Sequence, residues 1–263
     1  MKKITLFCLT AICILSLISC TGKHKYITLE PDDSNYASTE KTPDTSTSEN
    51  IFNATIAMRK ENTLLLSTND PTGLYILTLD GLDLIDCNES DVRPGVEVAI
   101  EYSGVTMETY PARLGDPTSL RITGGKINNI CEMYVDIIEE LWTTDPGLNG
   151  QICAIEILDD TLSEVQKNAI VYEFTNRIGP ETHVMRSSYD ELVEQGYINE
   201  EYLYFEDGAL ITITTDKGSN SGKKFSFNAN KWASGTGAIF FTDCKAEIKD
   251  GIWSYELGSF AIS

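Results

Sequence analysis

Hydrophobic and polar residues fall into three textures along this chain. Behind Lys2 and Lys3, Ile4 to Ser19 is a nearly unbroken apolar block of 16 residues, interrupted only by the hydroxyls of Thr5, Thr10, Ser16 and Ser19. Residues 21–50 then hold ten Ser or Thr, six acids and two prolines, with few large apolar side chains. Such a composition buries too little surface to offset its ordering entropy, so it reads as a flexible tether, and His24 sits inside it. From residue 51 the apolar positions become periodic.

Residues 51–125 carry the period of two that marks strands. Ala54, Ile56 and Met58 alternate, Leu64-Leu65-Leu66 follow, and Gly73–Leu79 is bounded by Asp70-Pro71-Thr72 and Asp80-Gly81. Gly95–Tyr102, Val105–Arg113 and Ser119–Thr123 bring the total to five or six short strands. That spacing predicts a small β-barrel. Residues 126–263 predict an α+β layer of three helices followed by an antiparallel meander. The first helix is expected over Ile127–Thr143, with an apolar stripe of Ile127, Ile130, Cys131, Tyr134, Ile137, Ile138 and Leu141. A strand is expected over Gln151–Leu158. Thr161-Leu162-Ser163-Glu164 has the form of a capping box, and the helix after it stops at Gly179-Pro180. A short strand over Thr182–Met185 and a helix from Ser188 to Gly196 follow. Beyond that the period returns to two, and Asp207-Gly208 and Asp250-Gly251 have the form of two-residue hairpin turns.

The first block is short for a membrane span, which needs about 20 apolar residues, and fits the core of a signal peptide. It ends Leu17-Ile18-Ser19-Cys20, which resembles the lipobox of bacterial lipoproteins. The resemblance implies removal of residues 1–19, diacylglycerol on the Cys20 sulfur and often acylation of the new amino terminus. Two acyl chains anchor stably where one does not. Cys20 is thus the expected lipid-attachment residue, residues 20–50 the lipidated linker, and the expected address is the extracytoplasmic face of the cell membrane. Val92–Val98, Ile100–Gly104 and Met107–Ala112 resemble a small OB-like domain of unknown function found in Gram-positive-type lipoproteins. Glu194–Ile198, and Trp232–Gly235 through Phe240–Cys244, resemble the second half of the same proteins. The resemblance implies an OB-like barrel over 51–125 and an α+β domain over 126–263, and it brings no known reaction.

Charge narrows the choice of partners. The chain carries 20 Lys and Arg against 40 Asp and Glu, and loss of Lys2 and Lys3 with the leader takes its net charge from −20 to −22. The acids are spread along the chain. A uniformly negative field repels phosphate backbones, which excludes nucleic acid as an expected partner. It also repels anionic headgroups, leaving lipid on Cys20 as the membrane attachment. Cationic partners, metal ions included, are permitted.

Candidate chemistry is sparse. Four cysteines, Cys87, Cys131, Cys153 and Cys244, remain beyond the leader and Cys20. Cys131 on a helical stripe and Cys244 on a strand alternation read as buried free thiols; one disulfide, Cys153–Cys244 or Cys131 with either, is the alternative. His183 is the one histidine in folded sequence, and no G-x-S-x-G or H-E-x-x-H accompanies it, so it reads as a surface or structural side chain. Ser234-Gly235-Thr236-Gly237 precedes a strand instead of a helix and reads as a turn or bulge, not a phosphate loop. Asp83, Asp86, Asn88, Glu89 and Asp91 lack calcium-loop spacing and read as a solvated acidic loop. Asp159-Asp160 and Asp190-Glu191 read as helix caps. Trp142, Trp232 and Trp253 read as core or rim residues. No catalytic, cofactor or metal set emerges. The expected function is a membrane-tethered binding or interaction module for an envelope protein, glycan or small ligand. The alternative is an envelope glycan or peptide hydrolase, using carboxylates not marked by any motif.

Overall fold

A computed structural model of the chain describes residues 50–69, 73–216, 218 and 221–263. The leader, Cys20 and the tether up to residue 49 lie outside the described residues.

The first part is eight strands: β1 (Asn50–Lys60), β2 (Thr63–Ser67), β3 (Leu74–Thr78), β4 (Asp83–Ile85), β5 (Val96–Tyr102), β6 (Thr106–Met107), β7 (Arg113–Leu114) and β8 (Ser119–Gly125). Six form one sheet in the order β3-β2-β1-β5-β8-β4, and β6 with β7 forms a separate hairpin. The expected OB-like barrel is not formed. β3 and β4 end the sheet and do not pair with each other, so it stays open. Closure needs consistent tilt and stagger across every strand. Here β4 is three residues long and parallel to its one partner, and β3 takes only a bridge from Ala112, through Ile76 N–H to the Ala112 carbonyl at 2.9 Å and Ala112 N–H to the Leu74 carbonyl at 3.0 Å. The three-leucine run shows what the outer face does instead. Leu64 and Leu66 point into the sheet's own core, while Leu65, with Ala57 and Met58, packs into the core beneath the helices. β1–β3 are therefore buried on both faces, which explains consecutive apolar residues where alternation would otherwise hold.

The second part comprises α1 (Ile130–Thr143), β9 (Ile152–Leu158), α2 (Glu164–Ile178), β10 (His183–Arg186), α3 (Tyr189–Glu194), β11 (Ile198–Asn199), β12 (Tyr204–Phe205), β13 (Gly208–Thr215), β14 (Lys224–Ser234), β15 (Gly237–Lys249), β16 (Ile252–Glu256) and β17 (Ser259–Ile262). The α+β class stands. The meander is only part of the sheet, because β10 and β13 both run parallel to β9, which lies between them. α2 carries the chain back over the sheet between β9 and β10, and such a return makes neighbours parallel. From β13 onward β14, β15 and then β16 and β17 are antiparallel.

Turn chemistry divides the two expected hairpins. Lys249 pairs with Ile252 across Asp250 (φ 53°) and Gly251 (φ 83°), the positive-φ pair such a turn wants. Asp207-Gly208 makes no hairpin, since β12 pairs with β11 and the end of β14 while β13 joins β9. Asp207 (φ 54°) instead bends the chain, and its carbonyl accepts the Ile152 N–H at 3.0 Å. The cap of α2 also differs from expectation. Ser163 and Gln166 form the capping box, while the Thr161 hydroxyl and N–H each donate to Asp159 at 2.7 Å.

α1 and α2 cover one face of the large sheet, burying Tyr134, Ile138 and Phe174 against Ile155, Ile211 and Phe227. Two charged side chains enter this core. Tyr134 donates its hydroxyl to Asp159 at 2.5 Å, and Asp159 is 2% exposed. Lys231, on the apolar face of β14 with Phe227 and Ala229, is fully buried. Its ammonium donates to the carbonyls of Trp142 (3.2 Å), Thr144 (2.5 Å) and Asp145 (3.1 Å) and to Asn149 Oδ1 (2.7 Å), serving carbonyls that α1 leaves unpaired at its end.

Candidate functional site

The site residues expected from sequence scatter. Cys20 lies outside the described residues. Cys87, Cys131, Cys153 and Cys244 are free thiols, the last three buried. Burial pushes Cys131 up to about 12 and raises the other three, so none is poised as a thiolate. His183 is exposed at the start of β10. Ser234 pairs with Gly237 around a two-residue turn, so that glycine segment is the β14–β15 hairpin. In the acidic loop, Asp91 caps a single turn at Asn88, and Glu89 pairs with Arg59. Asp159 is a buried acceptor, not a solvent-facing cap, and Glu191 caps α3. Trp142 and Trp253 are core residues, and Trp232 packs on Tyr189.

What the fold does assemble is a cleft between the outer face of β1–β3 and the helix pair. It has a volume of about 580 Å³ and a floor of Met58, Leu65 and Ile76. β1 brings Arg59 and Lys60. α1 brings Glu132 and Asp136, four residues apart and so on one face, and α2 brings Glu173 and Arg177 by the same spacing. A second hollow of about 570 Å³ adjoins it, sharing Arg59, Asn129 and Glu132 and reaching Arg93 and Ile252.

The charges in this cleft are unequally engaged. Arg177 binds Asp136 at 2.6 Å and Glu139 at 2.9 Å, and its Nε lies 3.4 Å from Glu173; burial works to lower its pKa, but Asp136 and Glu139 outweigh it and hold the pKa further up. The Arg59 guanidinium donates to the carbonyls of Glu61 (2.8 Å), Glu89 (2.5 Å) and Val92 (2.9 Å) and to the Glu89 carboxylate, which holds it against the first sheet. Lys60 reaches Glu173 at 3.7 Å with most of its side chain in water. Glu132 has no ion-pair partner among the described residues. Burial raises its carboxyl pKa and the Asp136 charge adds to this, while the Arg59 backbone N–H, the Asn129 side chain and the Arg177 charge pull it only partly back.

A further crevice of about 530 Å³ opens at the carboxyl ends of β9 and β10, where Glu156, Lys167, Arg186 and Ser187 meet. Its charges are largely spent on one another: Arg186 binds Glu164 and Asn168, and Lys167 binds Glu164 at 3.2 Å. Glu156 there has no ion-pair partner among the described residues and accepts only the Thr212 hydroxyl at 3.4 Å; the junction cleft is the stronger candidate because its unpaired carboxylate, Glu132, also lines the adjoining hollow.

None of the cleft residues is marked by a motif. The one signal for them was negative charge at Glu132, Asp136 and Glu139, flanking the α1 stripe at helical spacing. That pattern also describes any solvated helix face, and only the docking of β1 against α1 and α2 distinguishes it. No protein family, curated protein or solved structure matches the chain.

Proposed function

We propose that this chain is an extracytoplasmic lipoprotein, held to the membrane by lipid on Cys20, whose folded part is a non-enzymatic binding module with the junction cleft as its ligand site. The observation that carries the reading is the cleft itself: an apolar floor of Met58, Leu65 and Ile76 beneath a rim of fixed charges. Apolar area supplies the affinity of such a site and a few placed polar groups supply its specificity. The lipid part rests on the leader and on Leu17-Ile18-Ser19-Cys20. The resemblance of residues 92–112 and of the second half to Gram-positive-type lipoproteins agrees with it. The strongly negative chain has no electrostatic attraction to an anionic membrane, which leaves the lipid as the attachment.

Two measurements test the two parts. Mass spectrometry of the membrane-bound protein should find the lipid mass, and Cys20→Ser should lose it and release the protein; unchanged retention overturns the tether. For the module, a panel of small cationic, anionic and neutral compounds is titrated into the full chain in detergent, with the methyl signals of Met58, Leu65 and Ile76 followed by NMR. Shifts of these signals at saturating compound are expected, and their silence across the panel overturns the cleft as a ligand site.

One observation favours a second reading, a hydrolase of envelope glycan or peptide. Glu132, whose carboxyl pKa is raised by burial, shares the cleft with the carboxylates of Asp136 and Glu173, and a pair of carboxyl groups facing one cleft is what acid–base cleavage uses. Release of product from envelope glycan or peptides, abolished by Glu132→Gln, would establish it. Absence of turnover on both substrates removes it.

A further inference from the structure

We infer that the junction cleft takes an alkylammonium ligand, a primary amine on a short apolar stem, with Glu132 as its counter-ion. This rests on the reading of the cleft as a ligand site and adds the chemical class of what enters it.

The first ground is which charges remain open. Arg177 is divided among Asp136, Glu139 and Glu173, and Arg59 is tied to three backbone carbonyls and Glu89. Most of their donors are thereby spent within the protein, and what stays open is the Arg177 Nη2 group and the largely exposed Lys60 ammonium. Asp136 and Glu173 are answered by Arg177. Of the carboxylates lining this cleft, Glu132 is half-buried and has no ion-pair partner among the described residues, and it lines both hollows, the one wall residue besides Arg59 and Asn129 that does so. A carboxylate taken partly out of water is costly unless a positive group meets it. A ligand ammonium would supply that group with a charge-assisted hydrogen bond.

The second ground is the floor. Ile76 is partly exposed, and beside it the edges of Met58 and Leu65, whose bulk is packed in the core, complete an apolar strip on which a methylene stem loses its own hydration. A metal ion would make no use of that strip. The third ground is the field of the whole molecule, which at −20 attracts cations and repels anions from any opening.

The test is calorimetric titration of the full chain in detergent with cadaverine, beside glutarate as an anion of matched stem and maltotriose as a neutral polar ligand. Cadaverine should bind with one-site stoichiometry. Glu132→Gln should weaken it at least about tenfold. Glu256→Gln, an exposed acid outside the cleft, should leave it unchanged. A second readout needs no variant. Protonation of Glu132 competes with the amine, so wild-type affinity should fall as pH drops through the raised carboxyl pKa. The charged groups facing that carboxyl are Asp136 on its own helix, Arg59 and Lys60 from β1, Arg177 and Glu173 from α2, and, across the second hollow, Glu61 and Arg93.

Equal cadaverine affinity in wild type and Glu132→Gln, an equal loss in Glu256→Gln, or no binding at about 10 mM each overturns the inference. Glutarate or maltotriose shifting the Met58, Leu65 and Ile76 signals while cadaverine does not would keep the cleft as a ligand site and remove the amine. Silence from all three at those signals removes both.

Discussion

Replacing Lys231 with Met tests how the helix layer is joined to the large sheet. Met keeps most of the apolar stem and deletes the ammonium. Four oxygens receive that ammonium, and they lose different amounts. The Trp142 carbonyl keeps the Asn149 side-chain N–H at 2.9 Å, and the Asp145 carbonyl keeps the Leu148 N–H at 3.2 Å. The Thr144 carbonyl and Asn149 Oδ1 have no other donor among the described residues. Two half-buried acceptors are therefore orphaned, each worth about 1–3 kcal/mol, the upper end applying only where water stays out. Relief of the ammonium's own desolvation offsets part of this, which places the net cost at about 3 kcal/mol. For a folded unit of this size that is a drop of about 6–12 °C in midpoint. Thermal unfolding followed by circular dichroism at pH 7 reads it. The double variant with Asn149→Ala should fall short of the sum of the singles by about 1 kcal/mol or more, because both serve one ammonium. The pH dependence carries a sign as well. Burial lowers Lys231 to about 8, against the pull of the Asp145 carboxylate. Between that value and the lysine's ordinary range the unfolded chain binds the extra proton, so wild-type stability rises with pH there. The Met variant lacks that contribution. A midpoint within about 2 °C of wild type, with additive Asn149→Ala, would show that water serves these carbonyls and would refute the reasoning.

Three further outcomes follow from the same physics. Glu132→Gln should stabilise the fold at neutral pH, since a raised carboxyl pKa means that the ionised form is penalised on folding; wild type should regain the difference as pH falls through that raised pKa, and a destabilised Gln variant in chemical denaturation would contradict this. Tyr134→Phe should cost about 1–3 kcal/mol by removing a donor from buried Asp159. Asp159 has a lowered pKa, since its hydrogen-bond donors outweigh its burial, so its contribution is present above the ordinary aspartate range and fades as pH falls through the lowered value; a flat acid limb in wild-type unfolding argues against it. Gly251→Ala should destabilise by about 1–3 kcal/mol, because φ is 83° and a Cβ would stand 2.5 Å from the Ile127 carbonyl; an unchanged denaturation midpoint would mean that the β15–β16 turn shifts freely.

Read along the chain alone, the local elements were largely legible. The α1 stripe, the Gly179 and Gly196 helix stops, the Ser188–Glu191 cap and the Asp250-Gly251 hairpin all depend on residues within a few positions of one another, and local geometry decides them. The α+β class followed from the order of those elements. Partner choice did not follow. Alternation places Ala209, Ile211 and Ile213 on one face of β13 but is silent on whether β12 or β9 lies beside it, so Asp207-Gly208 read as a hairpin where the chain makes a bend. Likewise it placed inward residues along β1–β8 without saying whether the sheet's ends meet. The second apolar face of β1–β3, hidden in Leu64-Leu65-Leu66, is what commits that sheet to the helices and keeps it open.

The same division holds for function. The leader and the Leu17–Cys20 motif are contiguous text, so the expected lipid on Cys20 comes from sequence alone and owes nothing to the fold. The cleft is the opposite case. Glu132, Arg59 and Arg177 come from three elements separated by up to 118 positions in the chain. Each taken alone is an ordinary charged residue on a polar face. Their consequence, a half-buried carboxylate without an ion-pair partner beside an apolar strip, exists only once β1 docks on α1 and α2, because which charges neutralise one another depends on distance in space.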